Sequence, residues 1–229
     1  MDASKVVWWL VPATIAVGLT LDTRVPGWGQ WLANGLSWLA LAVILAGSRR
    51  AERRRLVLCV VIATLGECFL SLVWGLYEYR LAGGIPLFVP PGHALLFAWG
   101  VSASRFAPRW LPWATLASFA GVVSLGVLLR TDTEAVLWFS VLALCIVLGR
   151  RRRLYATMFL LATTLELVGT SMGAWYWHPE VPWFGLTSWN PPPCAGVLYC
   201  LLDLLVLKAD RALVGFRGLP KRVRSANPV

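Results

Sequence analysis

The stretch R-R-R-L-V-L-C-V-V-I-A-T-L-G-E-C-F-L-S-L-V-W-G-L-Y-E-Y covers residues 53–79 and decides the fold class. After three arginines, an apolar run fills residues 56–74, close to the roughly 20 residues that a helix needs to cross a bilayer. One acid, Glu67, interrupts this run. Seven more apolar segments can be drawn, at 6–21, 32–47, 92–104, 111–129, 135–149, 154–172 and 193–207. The sequence therefore predicts an all-α, polytopic membrane helix bundle with about eight transmembrane helices.

Composition and charge placement agree with this fold class. Apolar residues make up 58% of the 229 residues and charged residues only 14%, whereas a soluble domain has about 25% charged residues. The net charge of +10 would suit a nucleic-acid partner, but its distribution favours another explanation. With the N-terminus inside, all 21 Lys and Arg except Arg24, Arg80 and Arg130 fall on the cytoplasmic side, which is the positive-inside pattern.

This charge pattern leads to three expectations about location and partners. We expect a multi-pass protein of the cell inner membrane with both termini in the cytoplasm. Membrane lipids are expected neighbours, because basic clusters beside helix ends attract anionic headgroups. We expect no nucleic-acid partner.

The features of the opening stretch recur about a hundred residues later in the same order. These are an arginine run, an apolar run with a glutamate, a glycine within an aromatic cluster, and a Pro-rich loop. They occupy 53–56, 62–67, 74–79 and 85–93 in the first copy, and 151–154, 161–166, 173–177 and 189–194 in the second. The order predicts two parallel four-helix repeats, 1–105 and 106–215, followed by a basic cytoplasmic tail at 216–229. An even number of spans per copy gives both copies one orientation, related by an axis along the membrane normal.

Three acids lie within apolar segments: Glu67, Glu166 and Asp203. Because an acid deep in a bilayer costs about 2.5–3.5 kcal/mol on insertion scales, such residues usually mark functional sites. We predict that Glu67 and Glu166 form a catalytic acid–base pair. Asp203 is a third catalytic candidate, although the first copy has no acid at the corresponding place. A purely structural role, in which Glu and Thr bond across helices, is the alternative.

The predicted substrate-binding residues surround these acids. Hydroxyl residues share a helix face with each glutamate, at i, i+3 and i+7 spacing, and aromatic and polar residues follow in the outer loops. The candidates are Thr64, Ser71, Tyr77, Tyr79, His93, Thr163, Thr170, Trp175, Trp177, His178 and Asn190. We expect an outward-opening cavity between the halves, although interfacial Trp and Tyr are common in membrane proteins.

The two histidines, His93 and His178, could act as metal ligands or acid–base groups, but interfacial hydrogen bonding is the favoured prediction. Metal sites generally need three or four protein ligands, and no such spacing is present. The sequence therefore predicts no metal and no cofactor.

One stretch resembles a known family. Glu67, Gly75-x-Tyr77-x-Tyr79 and Gly84-Ile85-Pro86-Leu87 with Pro90 resemble the acid, Gly-x-Tyr-x-Tyr and Gly-Val-Pro-Leu pattern of membrane carotenoid-biosynthesis proteins of the bisanhydrobacterioruberin hydratase type. The second copy matches more loosely, through Glu166, Gly173, Trp175, Trp177 and Pro182. Tryptophans replace the tyrosines there, and His93 stands where the pattern has an aromatic residue. The resemblance implies addition of water across a terminal isoprenoid double bond.

Three functions are compatible with these features. The first is an integral membrane enzyme that acts on a lipid or isoprenoid, carotenoid-like substrate through the paired glutamates, as a hydratase, another lyase or an isomerase. The second is a small proton-coupled transporter in which the same acids carry protons. The third is a noncatalytic membrane assembly subunit. The sequence leaves the hydrophobic substrate's identity and the oligomeric state open.

Overall fold

A computed structural model of the protein describes residues 3–81 and 84–218. The described chain contains eight α-helices and four short strands. Each predicted apolar segment coincides with one helical stretch. The helices are α1 Ala3–Arg24, α2 Gly29–Gly47, α3 Arg50–Glu67, α4 Val89–Ala103, α5 Leu111–Leu128, α6 Ala135–Leu148, α7 Arg152–Ser171 and α8 Cys194–Gly218. However, α3 begins six residues before the predicted start at 56, and α8 continues eleven residues past the predicted end at 207. Residues 219–229 of the predicted basic tail lie outside the described residues.

Five helical stretches are long and apolar enough to cross a membrane. They are Val6–Arg24, Gly29–Gly47, Arg50–Val73, Leu111–Leu128 and Arg152–Ser171. Large apolar side chains also cover the outside of the bundle, including Trp9, Leu128 and Leu148, each at least 75% exposed. Exposed apolar area on this scale is unfavourable in water and favourable in lipid. These features indicate a membrane protein.

Four helices form the centre of the bundle. Helix α3 packs against α4 and α8, and α7 packs against the same two helices. Outside this ring, α1 packs on α2 and α4, whereas α5 packs on α6 and α7. Side chains such as Leu95, Leu142 and Val197 are fully buried where these helices meet. The ring brings the two helices that carry Glu67 and Glu166 into one core.

A two-stranded ribbon joins the two aromatic clusters. Strand β1 (Tyr77–Tyr79) pairs antiparallel with β2 (Trp175–Trp177), so that Glu78 lies opposite Tyr176. Each strand follows a glycine in the left-handed region, Gly75 with φ +74° and Gly173 with φ +75°, where residues with a Cβ are disfavoured. The aromatic clusters are therefore strands that cross-link the two halves of the chain.

A π-helical turn, Cys68–Val73, separates α3 from β1 and has no counterpart after α7. Gly75 follows Glu67 by eight residues, whereas Gly173 follows Glu166 by seven. A π-helical turn closes i→i+5 hydrogen bonds and so holds one more residue than an α-helical turn. We attribute the turn to this extra residue, which it absorbs so that both ribbon strands start in the same geometry.

The arginine run of α3 is tied to the end of α8. Arg54 Nε donates to Asp210 Oδ1 at 2.5 Å, and Arg55 Nε donates to Asp210 Oδ2 at 2.8 Å. Burial opposes the charge of Asp210, but the two arginine hydrogen bonds outweigh it and hold the pKa of the carboxyl below its ordinary value. This contact puts the start of α3 and the far part of α8 at the same end of the bundle.

A second hairpin closes the opposite end of the bundle. It consists of β3 (Glu180–Val181) and β4 (Leu186–Thr187), and it packs on the turn between α5 and α6. Thr133 N donates to Thr187 O at 3.0 Å, and Ser188 Oγ donates to Glu134 Oε1 at 2.5 Å. Asp132 is buried in this turn and accepts a hydrogen bond from Ala135 N.

Asp132 allows a pH test of this end of the fold. Burial, followed by the charge of Glu134, raises the pKa of Asp132 from its ordinary 3.8 to about 6. A raised carboxyl pKa means that the folded state binds the proton more tightly, so the wild type should gain stability as pH falls from above 6 towards about 4. We expect Asp132→Asn, which keeps an oxygen for Ala135 N, to raise the Tm at about pH 7.5. Thermal unfolding in detergent should show this advantage shrinking at lower pH. An advantage independent of pH would contradict the assignment.

Candidate functional site

One cavity of about 450 Å³ lies at the centre of the bundle, within the size range of small-molecule sites. Residues of α1, α3, α4, α7, α8 and both strands of the β1–β2 ribbon line it. Most of its wall is apolar, for example Leu70, Leu95 and Leu202. A few polar or aromatic side chains converge on it: Glu67, Tyr77, Tyr79, His93, Glu166, Trp175, Trp177 and Tyr199.

Glu67 is held by three side chains. Its Oε2 accepts hydrogen bonds from the hydroxyls of Tyr77 at 2.7 Å and Tyr79 at 2.6 Å. Its Oε1 lies 3.3 Å from Nε2 of His93. The π-helical turn and Gly75 position the two tyrosines, because they turn the chain back over the end of α3.

His93 and Glu67 form a close pair in the cavity wall. Nδ1 of His93 lies 3.0 Å from the carbonyl oxygen of Val89, and a carbonyl accepts only, so Nδ1 carries a proton. Nε2 then either donates to an ionised Glu67 or accepts from a protonated one. The imidazole also stacks on the ring of Tyr199, with centroids 4.8 Å apart. The pair is therefore a fixed site at which one proton can be held or moved.

Glu166 also accepts hydrogen bonds from two aromatic side chains on one carboxyl oxygen, but its other oxygen has no partner like His93 among the described residues. Its Oε2 accepts from the indole N–H groups of Trp175 at 2.8 Å and Trp177 at 3.0 Å. No side chain in the described part of the chain bonds its Oε1. Each glutamate thus receives two aromatic donors on one oxygen, but only Glu67 has a histidine on the other.

The β1–β2 ribbon packs the tyrosines that donate to Glu67 against the tryptophans that donate to Glu166. The rings of Tyr77 and Trp177 have centroids 4.4 Å apart, and those of Tyr79 and Trp175 are 6.3 Å apart. Asn190 fixes the second strand, because its Oδ1 accepts from Trp177 N at 3.1 Å. The two carboxyls, on helices far apart in sequence, are therefore positioned by one continuous aromatic layer.

The hydroxyl groups predicted beside the acids bond elsewhere. Thr64 Oγ1 donates to Val60 O, Thr170 Oγ1 to the backbone oxygen of Glu166, and Ser71 Oγ to Tyr77 O. Thr163 Oγ1 is buried without a hydrogen bond to the described residues. Threonine hydroxyls within helices commonly return to the carbonyl four residues back, and aromatic donors already occupy the carboxyls. None of these four residues lines the cavity.

The remaining candidates divide between the cavity and other places. His93, one of the predicted substrate-binding residues, lines the cavity and lies against Glu67. His178 lies outside the cavity, where its backbone N–H donates to Leu76 O at 3.0 Å. Asp203 is fully buried, does not line the cavity, and neither of its carboxyl oxygens has a hydrogen bond within residues 3–81 and 84–218.

Sequence reasoning missed Tyr199 and the glycines of the cavity wall. Tyr199 stacks on His93, yet in the sequence it is one aromatic residue inside an apolar helix, with no repeat partner to mark it. Gly18, Gly66 and Gly92 also line the cavity, but a glycine has no side-chain chemistry that would mark it in the sequence. Within the described residues, no group of three or more His, Cys, Asp and Glu is placed to hold a metal ion.

Comparisons with protein-family models, curated proteins and solved structures find no match to this chain.

Gly169 allows a test of the second acid's surroundings. A methyl group at this position would overlap the indole ring of Trp175, which bonds Glu166. Gly121 lies on the outer face of α5, and a methyl group there would contact nothing within 4 Å. Replacing a helical Gly by Ala normally stabilises a helix by about 1 kcal/mol. We therefore expect Gly121→Ala to raise the Tm in detergent, and Gly169→Ala to lower it. A rise for both variants would show that Trp175 does not pack where the structure has it.

Proposed function

We propose that the protein is an integral membrane enzyme that adds water to a carbon–carbon double bond of a lipid or isoprenoid, carotenoid-like substrate. The observation that carries the proposal is the pair of carboxyls, Glu67 and Glu166, in one apolar cavity with unlike hydrogen-bonding surroundings. Hydration of an alkene needs an acid that protonates carbon and a base that accepts a proton from water. Two carboxyls whose environments differ are suited to divide these roles.

Glu166 is the proposed acid. Both aromatic donors bond its Oε2, so its Oε1 has no donor among the described groups and is available to the apolar cavity. An ionised oxygen in that position would lose its hydration without compensation. A protonated Oε1 avoids this cost and holds its proton where a substrate double bond would lie.

Glu67 and His93 form the proposed base. Two tyrosine hydroxyls donate to the Glu67 carboxyl and Nε2 of His93 lies beside it, so the pair offers an oxygen and a nitrogen that can accept a proton. A water molecule beside this pair would be oriented for attack and would give up a proton to it. Tyr199 fixes the plane of the imidazole by stacking.

The proposed reaction balances within this set of residues. The π electron pair of the double bond takes the proton from Glu166 Oε1, which leaves positive charge on the more substituted carbon. Water adds to that carbon and loses a proton to the Glu67–His93 pair. Transfer of that proton back to Glu166 through water restores both groups. The rings of Tyr77, Trp175 and Trp177 in the cavity wall would stabilise the cation by their π faces.

The two-repeat architecture and the topology belong to the same proposal. The matched donor sets of the two acids and the antiparallel register that centres on Glu78 and Tyr176 support two parallel four-helix repeats. The contact between Asp210 and the first arginine run supports placing that run and the far part of α8 at one face, and the positive-inside pattern makes this the cytoplasmic face of the inner membrane, with the second run and both termini on the same side.

The proposal can be tested by expression in a bacterial host that makes linear carotenoids. Extracted pigments should contain a product heavier than the host's own pigment by one water. We expect Glu166→Gln to insert and fold, because its amide oxygen can still accept from both indoles, but to lower product formation by about 10²- to 10⁴-fold.

Asp203→Asn is the matched control, since it also neutralises a buried acid but lies outside the cavity lining. We expect it to retain product formation. Full activity of Glu166→Gln in membranes that contain the protein at wild-type level would contradict the acid role.

The transporter alternative has one observation in its favour. Asp203 is a buried carboxyl without a hydrogen bond among the described residues, as an intramembrane proton carrier would be. In that case Asp203→Asn would abolish proton-coupled uptake, and no hydrated pigment would form with any variant. An assembly subunit would instead tolerate all three neutral variants, Glu67→Gln, Glu166→Gln and Asp203→Asn.

A further inference from the structure

We propose that the cavity has a lateral entrance between α1 and α3, through which the hydrocarbon chain of a bilayer-dissolved isoprenoid reaches the two carboxyls. Because this entrance serves the cavity described above, it rests on the proposed function. A lateral entrance implies that the substrate reaches the cavity from the membrane, in which it is dissolved, and not from water.

The first support is the exposure of the cavity wall along α3 and the π-helical turn that follows it. Leu65 of α3 is 66% exposed and Phe69 of the turn is 48% exposed on the surface of the bundle, yet both also line the cavity. Ile15 and Gly18 of α1 line the same cavity. The cavity therefore reaches the apolar outer surface beside Leu65 and Phe69, and both α1 and α3 contribute to its wall.

The second support is the space beside two glycines. A methyl group built on Gly18 or on Gly66 would meet no atom within 4 Å, apart from its own helix. Both residues line the cavity, one from α1 and one from α3. Open space thus extends to the backbone on both sides of the gap, and a chain that passes Gly66 arrives beside the next residue, Glu67.

The third support is a difference between the two halves. Helix α1 packs on α2 and α4, whereas its counterpart α5 packs on α6 and α7. Helix α5 thus packs on the helix that carries Glu166, while α1 has no comparable packing on the helix that carries Glu67 among the described residues. The residue before the acid is Gly66 in the first half and Leu165 in the second. The gap is accordingly a feature of the first half.

The chemistry of the gap identifies its occupant. The residues of α1 and α3 that line the cavity are uncharged except for Glu67, so an ion or sugar would lose hydration on entry without new partners. A linear hydrocarbon chain that is dissolved in lipid has no hydration to lose when it moves from the bilayer into the cavity. The gap therefore favours an apolar chain that slides in end first.

The experiment measures entry independently of turnover. The probe is a linear isoprenoid chain with a terminal diazirine, mixed with phosphatidylcholine in nanodiscs that contain the full-length protein. After irradiation, peptide mass spectrometry locates the labelled residues. We expect label on Tyr199 and Leu165 inside the cavity, as well as on lipid-facing Leu128.

Gly18→Leu and Gly66→Leu should narrow the gap and reduce the inner label at least several-fold, with the label on Leu128 unchanged. Gly35→Leu is the control, because Gly35 is exposed on α2 and a methyl group there also meets nothing within 4 Å. Should a leucine variant fail to fold, the smaller Gly66→Ala and Gly18→Ala changes provide a graded series with a lesser reduction.

Two outcomes would overturn the entrance: inner label that persists in both leucine variants, and no inner label in the wild type. Glu166→Gln should be labelled like the wild type. If the wild type and this variant are both labelled inside the cavity but no carotenoid-making host yields a hydrated product, the proposed reaction is rejected and the entrance stands.

Discussion

The architecture depends on satisfying two carboxyl groups inside a membrane bundle. A buried carboxyl without donors is costly in lipid, and helices cannot supply donors from their own backbone because those groups bond within the helix. The β1–β2 ribbon supplies the missing donors, because its phenol O–H and indole N–H groups donate hydrogen bonds to Glu67 and Glu166. The ribbon ties the halves of the chain to each other, and the cavity lies where it meets α3 and α7.

The unlike partners of the two acids give the site its chemical direction. Two carboxyls with identical surroundings would have equal proton affinities, so neither would be preferred as proton donor or as proton acceptor. His93 breaks the equivalence, since its Nε2 lies 3.3 Å from Oε1 of Glu67, whereas no side chain of the described residues bonds Oε1 of Glu166. Indoles replace phenols around Glu166. In the proposed reaction this difference decides which acid gives a proton to carbon and which takes one from water.

Much of the helical framework could be predicted from the sequence, because apolar runs of bilayer length and basic residues at their ends are strong signals. The acids were also recognisable as carboxyl groups inside apolar runs, each followed by a glycine and an aromatic cluster. The hydroxyl residues that share a helix face with each glutamate did not predict the hydrogen-bond partners of the acids. Helical spacing places Thr64 near Glu67, but it does not reveal that the Thr64 hydroxyl donates to the carbonyl oxygen of Val60. The place of His93 and the open space at Gly66 arise from tertiary packing, which spacing along one helix does not encode.

The most direct test of this account is a disulfide across the ribbon. Glu78 and Tyr176 lie opposite each other in the β1–β2 register, and both are exposed. Directly opposed residues have Cα atoms about 4.5–5.5 Å apart, within the range of about 4.4–6.8 Å that a disulfide needs. We expect the Glu78→Cys/Tyr176→Cys protein to form this bond on oxidation in the membrane, and a Glu78→Cys/Glu180→Cys control not to do so. Failure of the first pair to oxidise, with both thiols reactive to a maleimide, would contradict the meeting of the two acids in one cavity.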